Sequence, residues 1–105
     1  KRVITSRSGH EFIFDDNDQK GMVVIHTKKN HIITLDDTSG GEKISIVDKS
    51  GSNSVEIDSN QNSIAIKSGL KLTIESQVIE IKAGGTMKIE AGATLTLKGA
   101  VVMIN

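Results

Sequence analysis

Residues 79–98 read IEIKAGGTMKIEAGATLTLK, and the pattern within this stretch decides the fold. In each unit, two apolar residues flank a polar one, a further polar or charged residue follows, and a corner rich in small residues leads to the next unit. Alternation with a period of two is typical of a strand with one buried and one solvent-facing side. Because the unit recurs every seven to nine residues, it predicts an array of short strands rather than one globular core.

The same unit extends from residue 55 to the end of the chain. The residues predicted to point inward are Val55, Ile57, Ile64, Ile66, Leu72, Ile74, Ile79, Ile81, Met87, Ile89, Leu95, Leu97, Val102 and Ile104. Before residue 55, similar pairs are separated by longer clusters of Asn, Asp, Gly and Ser, which form turns. We therefore predict a looped β neck over residues 1–43 and a regular β-helix needle over residues 44–105.

Composition excludes several classes of function. The 13 basic and 13 acidic residues give a formal net charge of zero, so a basic nucleic-acid interface is not expected. The chain lacks Cys, which rules out disulfides, and Phe12 and Phe14 are its only aromatic residues. No apolar run approaches the roughly 20 residues that a membrane-spanning helix needs.

A second column of residues follows the apolar pairs and alternates in charge. Its charged members are Asp58, Lys67, Glu75, Lys82, Glu90 and Lys98. If strands stack in parallel register, each charge meets an opposite charge in the next layer, a cross-strand contribution of about 0.2–1 kcal/mol per pair. Two architectures satisfy this column: one chain coiled alone with three strands per turn, or three chains wound together. The position between the paired apolar residues favours three chains, since Glu80 then faces Lys88.

The candidate catalytic and metal-binding residues have simpler structural interpretations. The neighbouring carboxylates Asp15 and Asp16 could in principle bind a cation or act as acid and base, but adjacent strand residues point to opposite faces. We therefore predict that such Asp pairs cap turns. His10 has no identifiable nucleophile or base partner, and a structural role is predicted for it. No catalytic residue, metal site or cofactor is expected, and the protein is predicted not to be an enzyme.

Three segments resemble one known family. Residues 5–16 (TSRSGHEFIFDD), 30–37 (NHIITLDD) and 83–92 (AGGTMKIEAG) are similar to segments of the spike proteins of contractile injection systems. That family includes the valine-glycine-repeat spikes of type VI secretion and the spikes of phage tail-like extracellular particles. The resemblance implies an all-β fold, an intertwined homotrimeric β-helix shaped as a triangular prism with strands roughly perpendicular to its long axis.

The resemblance also implies a function and partners. The expected role is a structural, cell-puncturing needle that assembles in the bacterial cytoplasm and is then secreted as part of the particle. Further amino-terminal domains of such spikes would connect it to baseplate and tube proteins. Some phage spikes end in a His-x-His iron site, which His10, His26 and His31 do not form.

The expected partner at the carboxyl-terminal end is a small conical tip protein of the proline-alanine-alanine-arginine repeat type. The residues predicted to form its docking site are Val101, Val102, Met103, Ile104 and Asn105. An uncovered apolar end with open strand edges favours such docking. The alternative that the sequence leaves open is a monomeric β-solenoid that acts as a binding or adhesion module.

Overall fold

A computed structural model describes all 105 residues, and it is entirely without helix. The chain therefore contains no helix of the length and apolarity that crossing a membrane requires. Seven strands form one sheet in the order β1 to β7, each hydrogen-bonded to its neighbours in sequence. The strands are β1 Arg2–Thr5, β2 Glu11–Asp15, β3 Met22–His26, β4 Ile32–Asp36, β5 Lys43–Val47, β6 Ser54–Asp58 and β7 Ser63–Lys67. The prediction of an all-β protein is confirmed.

Every pairing within this sheet is antiparallel. Successive units of one chain therefore pair antiparallel over residues 2–67, whereas the charge column was considered for strands stacked in parallel register. Asp58 and Lys67 do not pair with each other: Asp58 lies opposite Lys43 and Ser63, and Lys67 lies opposite Ser54. The reason is geometric. A hairpin reverses the direction of the chain, so the last residues of two successive strands lie at opposite ends of the strands.

The turns at one end of the strands share the same backbone hydrogen bonding. Ser6, Thr27 and Asp48 begin them, and each accepts a backbone hydrogen bond from the residue three positions later, with N–O distances of 3.1, 2.9 and 3.0 Å. The three donors, Gly9, Asn30 and Gly51, all have positive φ, at 103°, 71° and 77°. Glycine and asparagine tolerate this left-handed backbone conformation better than other residues, so the sequence closes each hairpin locally.

The turns at the opposite end of the strands are capped by aspartate side chains. The Oδ1 atoms of Asp15, Asp36 and Asp58 accept hydrogen bonds from the backbone N–H two residues later, at 3.2, 2.8 and 3.0 Å. Hydrogen bonds from the side chain and then the backbone of Thr38 lower the pKa of the Asp36 carboxyl. The prediction that paired aspartates cap turns is confirmed for the first member of Asp15–Asp16 and of the corresponding pair Asp36–Asp37.

The chain divides into two compact units, Lys1–Thr73 and Ile74–Asn105. The first contains the whole sheet, and the antiparallel ladder crosses the predicted boundary at residues 43–44 without interruption as far as Lys67. The second has bends at Gln77, at 84–85, at 92–93 and at 100–101, with straight segments between them. That spacing follows the repeat read from the sequence.

Candidate assembly surface

One face of the sheet carries two continuous apolar rows, which we call the apolar face. Cross-strand pairing aligns the first row as Ile4, Phe12, Ile25, Ile33, Ile46, Val55 and Ile66. It aligns the second row as Phe14, Val23, Leu35, Ile44, Ile57 and Ile64. The four predicted inward residues that fall within the sheet, Val55, Ile57, Ile64 and Ile66, all lie on this face. The rings of Phe12 and Phe14 stack with their centroids 5.0 Å apart.

The apolar face is uncovered within one chain. No hydrophobic residue of the whole chain is buried, and Ile64 remains 69% exposed. The opposite face carries more polar residues, including Thr34 and Ser45 in its middle row, and His26 Nδ1 lies 3.6 Å from Glu11 Oε1 on this face. The sheet is therefore amphipathic in the sense that alternation predicts, but it lacks the layer that would cover its apolar side.

A groove of about 540 Å³ runs along the first apolar row. Ile25, Ile33 and Ile46 line it, and Leu72 contributes from the segment that follows β7. The chain therefore turns after Lys67 so that the next apolar residue of the repeat borders the apolar face. Leu72 therefore lies beside the first apolar row.

Gly69 makes this corner possible. A Cβ atom at Gly69 would lie 2.9 Å from the Cβ of Ser52, closer than non-bonded carbons approach each other. The N–H of Gly69 donates a 3.0 Å hydrogen bond to Asn53 Oδ1, which ties the corner to the β5–β6 turn. The absence of a side chain at Gly69 is thus a packing requirement, whereas the sequence pattern indicates only that corners are rich in small residues.

The corner continues a series of contacts that sequence analysis missed. His10 Nδ1 accepts a 3.1 Å hydrogen bond from the Lys28 N–H, and His31 Nδ1 accepts a 3.2 Å bond from the Lys49 N–H. Each of these hydrogen bonds links one turn to the next turn at the same end of the strands. The bond from Gly69 N–H to Asn53 links the corner in the same way. The histidines therefore serve as acceptors between turns. The signal was present as a spacing of 21 residues between His10 and His31, and between Lys28 and Lys49.

Residues 72–105, which we call the tail, differ from the sheet in their backbone bonding. The tail has no strand ladder and no backbone–backbone hydrogen bond within the chain. The Nζ of Lys88 lies 2.9 Å from Glu90 Oε2, which places these two side chains on the same side of an extended segment. Extended backbone puts the intervening Ile89 on the other side.

All of the predicted inward residues in the tail are exposed in the single chain. They are Leu72, Ile74, Ile79, Ile81, Met87, Ile89, Leu95, Leu97, Val102 and Ile104. Backbone N–H and C=O groups that are to be buried with such residues need hydrogen-bond partners. The tail supplies none itself, so these partners must come from another chain or from water.

The predicted tip-docking residues begin within the last bend, at 100–101, and continue to Asn105. Val102 is 48% exposed, whereas Met103 and Ile104 are 89% and 88% exposed. The segment is apolar and open, as a docking site would be. Met103 and Ile104 are equally exposed in the single chain, although only Ile104 is predicted to point inward.

The accessible surface area of the chain is larger than that of a folded monomer of the same mass. The chain exposes 9492 Å², whereas a folded monomer of 11.2 kDa exposes about 5,700 Å² on the usual scaling with mass. The excess of about 3,800 Å² per chain lies in the range of obligate oligomer interfaces. The chain thus exposes considerably more surface than a compact monomer of its mass would, and it contains no cluster of three His, Asp or Glu residues suited to a metal ion.

Comparison with known proteins identifies no family for this chain: no protein-family model matches it, and no curated protein matches it.

Proposed function

We propose that this chain is the needle segment of a contractile injection spike, in which three identical copies wind together into a triangular β-helix. The single observation that carries the proposal is that no apolar residue is buried in a chain whose tail has no backbone pairing of its own. Three copies would bring the apolar faces and the inward tail residues onto one axis, while the polar sides face solvent. The role of such a needle is mechanical and requires no catalytic residue.

The bonding of the tail favours winding between chains over coiling of one chain. In a lone three-sided coil, each unit would pair with the unit three steps later, so the strand of Ile79 and Ile81 would hydrogen-bond to that of Val102 and Ile104. No such pairing exists in the chain. In a three-chain helix the two intervening layers belong to the other copies, and the unit three steps later lies about 14 Å away at about 4.8 Å per layer.

The charge column fits this arrangement within the tail, as it also fits a lone coil with three strands per turn. In the interwound helix Glu75 of one copy lies beside Lys82 of the next, and Glu90 beside Lys98. Exposed pairs of this kind contribute little to stability, with a median of about 0–1 kcal/mol. Their importance is in disfavouring arrangements that place like charges together.

The partners of the needle follow from the sequence resemblance and from its open end. We propose that residues 101–105 of the three copies dock a conical tip protein, and that further domains of the spike connect it to baseplate and tube proteins. Docking at this end would cover the exposed side chains of Met103 and Ile104. Assembly in the bacterial cytoplasm followed by export in the particle is part of the same proposal.

Oligomeric state tests this function directly. Sedimentation equilibrium or multi-angle light scattering of the chain should give about three times the 11.2 kDa monomer mass at micromolar concentration. A stable, folded monomer would overturn the proposal and would favour the alternative of a monomeric solenoid used for binding or adhesion.

A further inference from the structure

We infer that the sheet of β1–β7 is the register-setting element of the assembly: it aligns three copies before their tails wind together. This inference rests on the proposed trimer and adds a folding function to its neck. It follows from a difference between the two parts of the chain in where their hydrogen bonds are made.

The sheet is hydrogen-bonded entirely between strands that are neighbours in sequence. Its hairpins close over short turns, such as Ser6–His10 and Thr27–His31, whose backbone bonds are 2.7 and 3.0 Å long. Short loops cost little closure entropy, and chains rich in local contacts fold fast. The tail has no backbone partner within the chain, so its strands form only after copies have met. The sheet is therefore expected to form first.

The tail by itself specifies its register poorly. Its units are alike, and a flat repetitive strand array is prone to slippage. A slip of one unit places Glu75 beside Glu90 or Glu75 of the neighbouring copy. Repulsion between the like charges opposes this slip. A slip of two units restores an opposite pair, such as Glu75 beside Lys98, and returns apolar pairs to the inside. The same slip moves Glu80 from Lys88 to Met103, but an exposed pair of this kind contributes only about 0–1 kcal/mol, so the repeat opposes the two-unit error weakly.

The sheet does not share this ambiguity. The stacked pair Phe12 and Phe14 occurs only in β2, so the two apolar rows are not uniform along their length. The Gly69 corner occurs once, where the chain passes Ser52 at a distance that no larger residue would allow. If the copies pack their apolar faces in register, the tails of all three copies therefore begin at the same layer.

Cysteine pairs can report the register, because the natural chain contains no Cys. A disulfide requires Cα atoms about 4.4–6.8 Å apart, which adjacent layers satisfy and layers about 14 Å apart do not. A chain with Glu75→Cys and Lys82→Cys reports the correct register by a link between chains. A chain with Glu75→Cys and Lys98→Cys reports the two-unit slip. Both variants remove one charge of each sign, so each is a matched control for the other.

The sheet is then weakened at its apolar face in both cysteine backgrounds. Ile33→Thr and Ile33→Asp reduce packing between the faces of different copies, and Thr34→Ser is the control on the opposite face of the same strand. After refolding from denaturant, the parent and Thr34→Ser should form only the 75–82 link. Ile33→Thr should form interchain 75–98 links in addition. If Ile33→Asp does not assemble at all, the apolar face is required for assembly. The register is then measured from the disulfide links of the milder variant Ile33→Thr.

Pulse-labelling hydrogen exchange during refolding of the unmodified chain gives a second, independent measurement. Amides of residues 11–67 should become protected before those of residues 72–105. Tail amides that gain protection first or simultaneously would overturn the inference, as would trimers of Ile33→Thr that retain only the 75–82 link. A 75–98 link within one monomeric chain is a different result: it would overturn the proposed trimer itself.

Discussion

Shortening Ile89 to Ala tests the assignment of the tail's inward side most directly. Ile89 is 69% exposed in the single chain, so most of its side-chain area is available for burial against other copies. Truncating a buried Ile to Ala costs about 2–5 kcal/mol, which becomes about 6–15 kcal/mol for three equivalent sites in one trimer. An effect of that size should shift dissociation of the trimer to much higher chain concentrations, since each 1.4 kcal/mol corresponds to a tenfold change in an equilibrium constant.

The control for Ile89→Ala is the neighbouring residue on the opposite side. Lys88→Ala removes an exposed ion pair with Glu90 at 2.9 Å and should change stability by less than about 1 kcal/mol per chain. The assay is sedimentation velocity over a dilution series, with thermal unfolding followed by circular dichroism at fixed concentration. Equal effects of the two substitutions, or a larger effect of Lys88→Ala, would refute the inward assignment of Ile89.

Three further predictions follow from the corner, the turns and the open end. Gly69→Ala should destabilise the corner, because its new Cβ would lie 2.9 Å from the Cβ of Ser52, and Ser52→Gly in the same chain should restore the melting temperature. Asp48 has its pKa lowered by hydrogen bonds from Asn53 and then Ser50, so its contribution to stability is present above the unfolded pKa near 3.8 and is lost as the pH falls through the folded value. Asp48→Asn should therefore show a smaller acid-induced fall in melting temperature below pH 4 than the parent, and an equal fall would contradict this role. Deleting residues 101–105 should abolish retention of a tip protein in a pull-down while leaving the trimer mass otherwise intact; a tip retained by the truncated needle would rule out this docking site.

The alternation of apolar and polar residues was sufficient to predict the class of secondary structure and the side to which residues point. Val55 and Ile57 share a face in the sheet because successive strand side chains alternate, whatever strand lies beside them. Clusters such as Lys49 to Asn53 were likewise recognisable as turns from their Gly, Ser and Asn content. These properties depend on residues close in sequence, so a single sequence contains the information.

Strand direction and hydrogen-bond partners were decided only by the tertiary structure. The same alternation suits a parallel or an antiparallel neighbour, and the choice over residues 2–67 depends on hairpins closed by positive-φ residues such as Asn30 and Gly51. The close approach of Gly69 to Ser52 joins residues that no periodicity relates. The repeat therefore determined the faces of the strands by itself, whereas the end of the antiparallel ladder at Lys67 was decided by three-dimensional bonding, because alternation constrains side chains and leaves the backbone partner open.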